Sequence, residues 1–242
     1  MNKIILKVKI GALGALSALV AQTAIANSVT VKEITDTTEV IVSVKLNSTT
    51  TPNSNLSYAG GVYAGFETLS IYDSAKTTTT IVKGFCIDLY HYSSGAALPY
   101  NVAELQYSPA ATPPGNMGLA KANFIKEMWA QYYNGALRDK TKAAGLQLAI
   151  WAVLQGTISG GVVNPTVVPN WNWLVSTDKY GADGIITWAN SNSGPLANVV
   201  GLNQAVTGAQ SYAIPVPDGG MTIALLGGAL TMIGVVGRRA RM

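Results

Sequence analysis

Between residues 39 and 46 apolar and polar positions alternate, with Val40, Val42, Val44 and Leu46 on one side and Ser43 and Lys45 on the other. A period of two is the mark of a strand with one buried face. Residues 61–72 and 77–92 are rich in β-branched and aromatic side chains, and together these segments predict an antiparallel sheet. After Pro113-Pro114-Gly115 the period changes. Leu119, Ala122, Ile125, Met128, Trp129 and Tyr132 recur at helical spacing, a second helix is predicted over 142–154 with Gly156 ending it, and a short third over 185–192. Strands first and helices afterwards indicate an α+β domain, an antiparallel sheet or barrel lobe followed by a small helical lobe.

Two further apolar runs lie at the ends of the chain. Lys3, Lys7 and Lys9 precede an apolar stretch over 10–21, and Ala24-Ile25-Ala26 supplies the small-x-small pattern that signal peptidase accepts. Residues 1–26 therefore read as a signal peptide cut after Ala26. At the other end Val216-Pro217-Asp218-Gly219-Gly220 precedes an uncharged run of 17 residues over 221–237, and Arg238, Arg239 and Arg241 form a basic tip over 238–242. Seventeen residues at about 1.5 Å each only just span a hydrocarbon core of roughly 30 Å. Ile223, Leu225, Leu226, Leu230, Ile233, Val235 and Val236 each favour insertion by roughly 0.3–0.6 kcal/mol, while glycines and threonines erode the sum, so the predicted transmembrane helix is a marginal anchor. The arginines belong on the cytoplasmic side, which leaves the 216–220 motif outside the cytoplasm. Pro217 lacks a donor and the two glycines are permissive, so the motif is expected to be extended and open to a protease.

Six of the 16 basic residues lie in these end segments, and the ten that remain face 11 or 12 acidic ones. The mature protein is thus near neutral, and its basic balance gives no support to a nucleic-acid partner. Residues 27–215 have the length of one domain. Low charge and runs such as Asn47-Ser-Thr-Thr-Thr-Pro-Asn-Ser-Asn suit an exported protein with polar loops.

The tail resembles the C-terminal sorting signals of the PEP-CTERM type, in the variant that reads Val-Pro-Asp-Gly-Gly, across residues 216–242. That resemblance implies passage through the inner membrane, recognition by an exosortase, cleavage near the motif, and release to the cell surface or extracellular matrix. An ordinary single-span anchor is the alternative.

Inside the domain, Cys86 is the only cysteine, so an exported chain carries a thiol without a disulfide partner. It lies in Gly84-Phe85-Cys86-Ile87-Asp88, and 61 residues later Gln147 lies in Gln147-Leu148-Ala149-Ile150-Trp151 on the second predicted helix. By alternation Cys86 shares a strand face with Gly84 and Asp88, and Gln147 shares a helix face with Ala143, Ala144, Ile150 and Trp151. A polar amide on an apolar stripe is anomalous, and burying it unpaired costs about 1–3 kcal/mol. These two segments resemble the thioester domains of bacterial surface adhesins. The resemblance implies an internal thioester between Cys86 and Gln147, formed with loss of ammonia, and an adhesin that acylates a surface amine or hydroxyl once rather than a turnover enzyme. Apolar cover from Trp151, Phe85 and nearby tyrosines would shield the bond.

Other readings stay open. Cys86 also fits as a small buried hydrophobe, and Gln147 as a helix residue bonded to a loop carbonyl. The protein then becomes a non-covalent matrix component associated with exopolysaccharide or biofilm. Asp88 could orient a nucleophile or simply bond a loop. His91 falls on the opposite face from Cys86 by strict alternation, which makes a cysteine hydrolase a poor fit. Trp171, Trp173 and Trp188 fit either a carbohydrate surface or a core. No cofactor or metal site is expected from one histidine, one cysteine and scattered acids, and the segment from Asp178 to Gly184, with Asp178, Asp183 and glycines, is too irregular for a calcium loop.

Overall fold

The computed structural model describes residues 27–34, 40–46, 59–88, 91, 93–109, 115–164, 171–172, 180–205 and 208–216. Both end segments, 1–26 and 217–242, lie outside them. Val29 and Val31, separated by a polar Thr30, set the pattern for β1 (Asn27–Ile34): alternate residues turn inward onto a shared core. The same holds for Leu69 in β4 (Glu67–Asp73), Val82 in β5 (Thr78–Cys86), Tyr100 in β6 (Leu98–Glu104), Leu202 in β10 (Val199–Gln204), and Tyr212 and Ile214 in β11 (Tyr212–Pro215). These six strands close into an antiparallel barrel in the order β1-β4-β5-β11-β10-β6. Closure leaves no open edge among them.

The described helices are α1 (Leu119–Ala136), α2 (Lys140–Gln155) and α3 (Ala182–Ser191). Every residue of α2 from Ala143 to Leu154 is buried, which accounts for a segment that is apolar nearly all round. With α1 and α3 it forms a second core that also takes in Phe85, Cys86 and Ile87 at the end of β5. Asp139 fixes where α2 starts: its carboxylate accepts from the Thr141 and Lys142 N–H groups at 2.8 and 3.3 Å. An Asp139→Ala variant is expected to lose about 1 kcal/mol, read as a lower urea midpoint. An unchanged midpoint would mean that packing alone sets the helix start.

The α+β class and the helix positions agree with the sequence pattern, and four features differ from it. The barrel is not complete before the helices, because β10 and β11 follow them, so the helical lobe is an insertion between β6 and β10. The 61–72 segment divides into β3 (Ala59–Ala64) and β4, which enter different sheets: β3 joins β2 (Val40–Leu46) and β9 (Trp171–Asn172) in a separate three-stranded sheet. A small hairpin of β7 (Thr157–Ser159) and β8 (Val162–Asn164) follows α2. Lastly, the strand expected over 77–92 stops at Cys86. Ile87 still bonds to the Ser211 carbonyl at 3.0 Å, but the Asp88 N–H turns to the Cys86 sulfur at 3.3 Å and leaves the ladder.

Candidate functional site

Cys86 is the last residue of β5, opposite Tyr212 of β11. On its other side the β4–β5 ladder ends at Glu67↔Gly84, so two residues further on the Cys86 backbone has no strand to bond. Gln147 takes that place from the middle of α2. Its Oε1 accepts from the Cys86 N–H at 3.0 Å and its Nε2 donates to the Cys86 carbonyl at 2.8 Å. A primary amide carries the same donor and acceptor as a peptide group, and here it substitutes for one. Both residues are buried, at 3% and 1% exposure. Gly84 permits the close approach of β11 beside them, since a Cβ there would lie 2.7 Å from the Ala213 carbonyl oxygen.

The Gln147 amide is therefore not an unpaired polar group on an apolar stripe, as helix periodicity alone suggested. Both of its ends are satisfied by Cys86. The structure brings together the two residues that the sequence singled out, and it does so through the cysteine's main chain, with the sulfur free to make other contacts.

Those contacts form a compact polar shell. Sγ donates to the Asp88 carbonyl at 3.1 Å, accepts from the Asp88 N–H at 3.3 Å, and lies 2.7 Å from Gln210 Nε2. Burial pushes the Cys86 thiol well above its usual range, with the Asp88 carboxylate adding to the effect; the Asp88 N–H and the Trp151 indole oppose it. Trp151, 2% exposed, thus stands beside the sulfur, although its Nε1–H makes no well-formed hydrogen bond. Phe85 points the other way, into an aromatic group with Trp129 at 5.3 Å and Tyr133 at 6.3 Å between ring centroids.

Asp88 meets the sulfur with its backbone. Its carboxylate faces His91, with Oδ2 2.7 Å from Nδ1. Strand alternation does not govern His91, because the strand has ended five residues earlier, and the imidazole reaches Asp88. Trp188 stacks edge-on against Tyr132 at 5.4 Å, in the helical core. Asp183 lies in the first turn of α3. The side chain of Trp171, and the whole of Trp173 and Asp178, fall outside what is described. Among the described residues no group of three histidine, cysteine or acidic side chains gathers as a metal site requires.

Val216 departs from the expectation of an open motif. It is 8% exposed and its N–H donates to the Asn198 carbonyl at 2.9 Å, so the first residue of the 216–220 segment belongs to the barrel. Pro217, Asp218, Gly219, Gly220, the 221–237 run, the arginine tip and the Ala24 and Ala26 cleavage pattern lie outside the described residues. No helix among those described is long and apolar enough to cross a membrane. Gln210 is the site residue that sequence reasoning missed. It stands 124 positions from Cys86 in a short polar stretch before β11, and no local pattern marks it.

No protein-family model matches the chain, and comparison with curated proteins finds no match. Among solved structures, the N-terminal thioester domain of a surface protein from Clostridium perfringens is similar to it, with 12% sequence identity and a TM-score of 0.41, covering 77% of this chain and 97% of that one. At that score the likeness transfers no residue and no activity. The Cys86–Gln147 arrangement stands on its own distances.

Proposed function

We propose that this chain is an exported surface or extracellular-matrix protein that attaches to its target through an internal thioester between Cys86 and Gln147. One observation carries the reading: the two-way pairing of the Gln147 amide with the Cys86 backbone ties that amide to the residue that bears the sole sulfhydryl of the chain. Sγ bonds to Gln147 Cδ, the Cδ–Nε2 bond breaks, and the thiol proton leaves with the nitrogen as ammonia. A surface amine or hydroxyl then takes the acyl group and the thiol returns. The bond is made once per molecule, so the protein is an adhesin and not a turnover enzyme. Signal peptidase cuts after Ala26, the 221–237 run holds the product briefly in the inner membrane, and an exosortase cuts within the Val216-Pro217-Asp218-Gly219-Gly220 segment.

Intact-mass measurement of the secreted product tests all of this at once. The product is expected to begin at Asn27, to lack the arginine tip, and to be lighter than its sequence by one ammonia. Methylamine adds its own mass to that product, and Cys86→Ala restores the full mass. An unmodified wild-type mass removes the covalent mechanism. The satisfied state of the Gln147 amide favours what then remains, a matrix protein in which Gln147 simply locks α2 to the barrel. A product that keeps its arginine tip removes the sorting reading.

A further inference from the structure

Donors that the Cys86–Gln147 pair does not use converge on the sulfur. Gln210 Nε2 lies 2.7 Å from Sγ and 3.2 Å from the Asp88 carbonyl oxygen. A carbonyl oxygen only accepts, so this second contact fixes which end of the Gln210 amide faces the sulfur. The Asp88 N–H is a second donor at 3.3 Å. The buried Trp151 indole N–H makes no hydrogen bond. A protonated sulfur gives its hydrogen to the Asp88 carbonyl. Burial makes the anion costly in this setting, and donors held in place without reorganisation are what offsets such a cost.

We propose that Gln210 is a third residue of the reactive site: its side-chain amide, with the Asp88 N–H group, holds the negative charge that collects on the Cys86 sulfur as the thioester forms and opens. This rests on the thioester reading above. In the opening step the nitrogen of a primary amine bonds to Gln147 Cδ and the Cδ–Sγ bond breaks, leaving its electron pair on sulfur. The proton shed by nitrogen ends on Sγ, which yields the Cys86 thiol and a secondary amide at Gln147. The charge passes through sulfur between those two events, at the point where Gln210 Nε2 sits.

The secreted protein is compared as wild type, Gln210→Leu, Gln210→Glu and Gln210→Lys, all close to glutamine in length and placed at a half-buried position. Intact mass gives the fraction of thioester and its rate of opening in methylamine. Methylamine also converts every sample to the free thiol, whose thiolate absorbance in the ultraviolet is then followed against pH. The ionisable groups around that thiol, Glu67, Asp88 with its partner His91, Tyr100 and Tyr212, are common to all four proteins. Gln210→Leu is expected to slow opening by roughly 10- to 100-fold, the worth of one hydrogen bond to an anion. Gln210→Glu should slow it further, and Gln210→Lys, which offers N–H donors again, should recover it. Opening of Gln210→Leu at the wild-type rate, or of Gln210→Lys as slowly as Gln210→Leu, overturns the proposal. A wild-type protein of full mass removes the thioester reading alone, and the thiolate titration then decides. A thiolate that needs higher pH in Gln210→Leu than in wild type upholds the donor role, and equal titrations refute it.

Discussion

Trp151→Ala is expected to lose about 3–5 kcal/mol of folding stability, the range for removing a large aromatic from a packed core. The indole is 2% exposed within the cluster that unites α2 with the end of β5, so the cavity opens against Cys86 and Gln147. Water admitted there would attack the thioester proposed above, and in that case the mass deficit should disappear from aged protein faster than from wild type. Trp151→Phe separates the two roles of the side chain. It keeps much of the ring volume and removes the N–H, which has no well-formed partner to lose, so most of the stability should return. Urea unfolding of both variants, with intact mass followed over time, provides the measurement. A loss below about 1 kcal/mol in Trp151→Ala would be out of range for a core aromatic and would mean that the site around the sulfur collapses without it.

Gly145→Ala is expected to cost about 3 kcal/mol, the upper end for forced overpacking. Two residues before Gln147, α2 passes the start of α3 so closely that an added Cβ would overlap the Tyr180 carbonyl oxygen, with the Tyr180 carbonyl carbon at 3.2 Å. Both obstacles are main chain, and no side-chain rotation relieves them. Either α3 moves away or α2 shifts, and a shift carries Gln147 off the Cys86 backbone. Gly135 in α1 is the matched control, because a Cβ there meets only the Lys142 Cδ at 3.7 Å. Gly135→Ala should gain up to about 1 kcal/mol from helix propensity alone. Thermal unfolding of the pair reads the difference, and equal effects of the two substitutions would contradict the packing described for α2 and α3.

The helices were legible because their apolar positions repeat over many turns: 142–154 in the sequence became Lys140–Gln155 in the structure. The barrel was less so. β6 contains Pro99, β10 contains Gly201 in its centre, and β11 is four residues long, so none presents a clear alternating run. Closure depends on pairs such as Asn27↔Val102 and Val200↔Glu104, which join segments far apart in sequence and leave no local trace. At the site, the aromatic-cysteine strand and the glutamine helix could be singled out because each sits in a regular element. The end of β5 could not, since Ile87 and Leu89 keep a β-rich composition past the point where Asp88 bends to the sulfur. Gln210 was invisible for the same physical reason: its role comes from where β11 lies in the barrel wall, and nothing in Ala209-Gln210-Ser211 encodes that position.

Val216 ends the barrel chain with its N–H still held by Asn198, on the strand that adjoins β5. Any tether on the C-terminus therefore pulls first on β11, which is gripped from both flanks by β10 and β5. Under the acylation proposed above, a target joined to Gln147 would pull on α2. Between the two stands β5, bonded to Gln147 at its last residue, Cys86, with Ile87 just beyond it bonded to Ser211. Tension between anchor and target would cross the molecule along this short route, loading the strands lengthwise so that their hydrogen bonds resist together, while the rest of the barrel wall carries little of the strain.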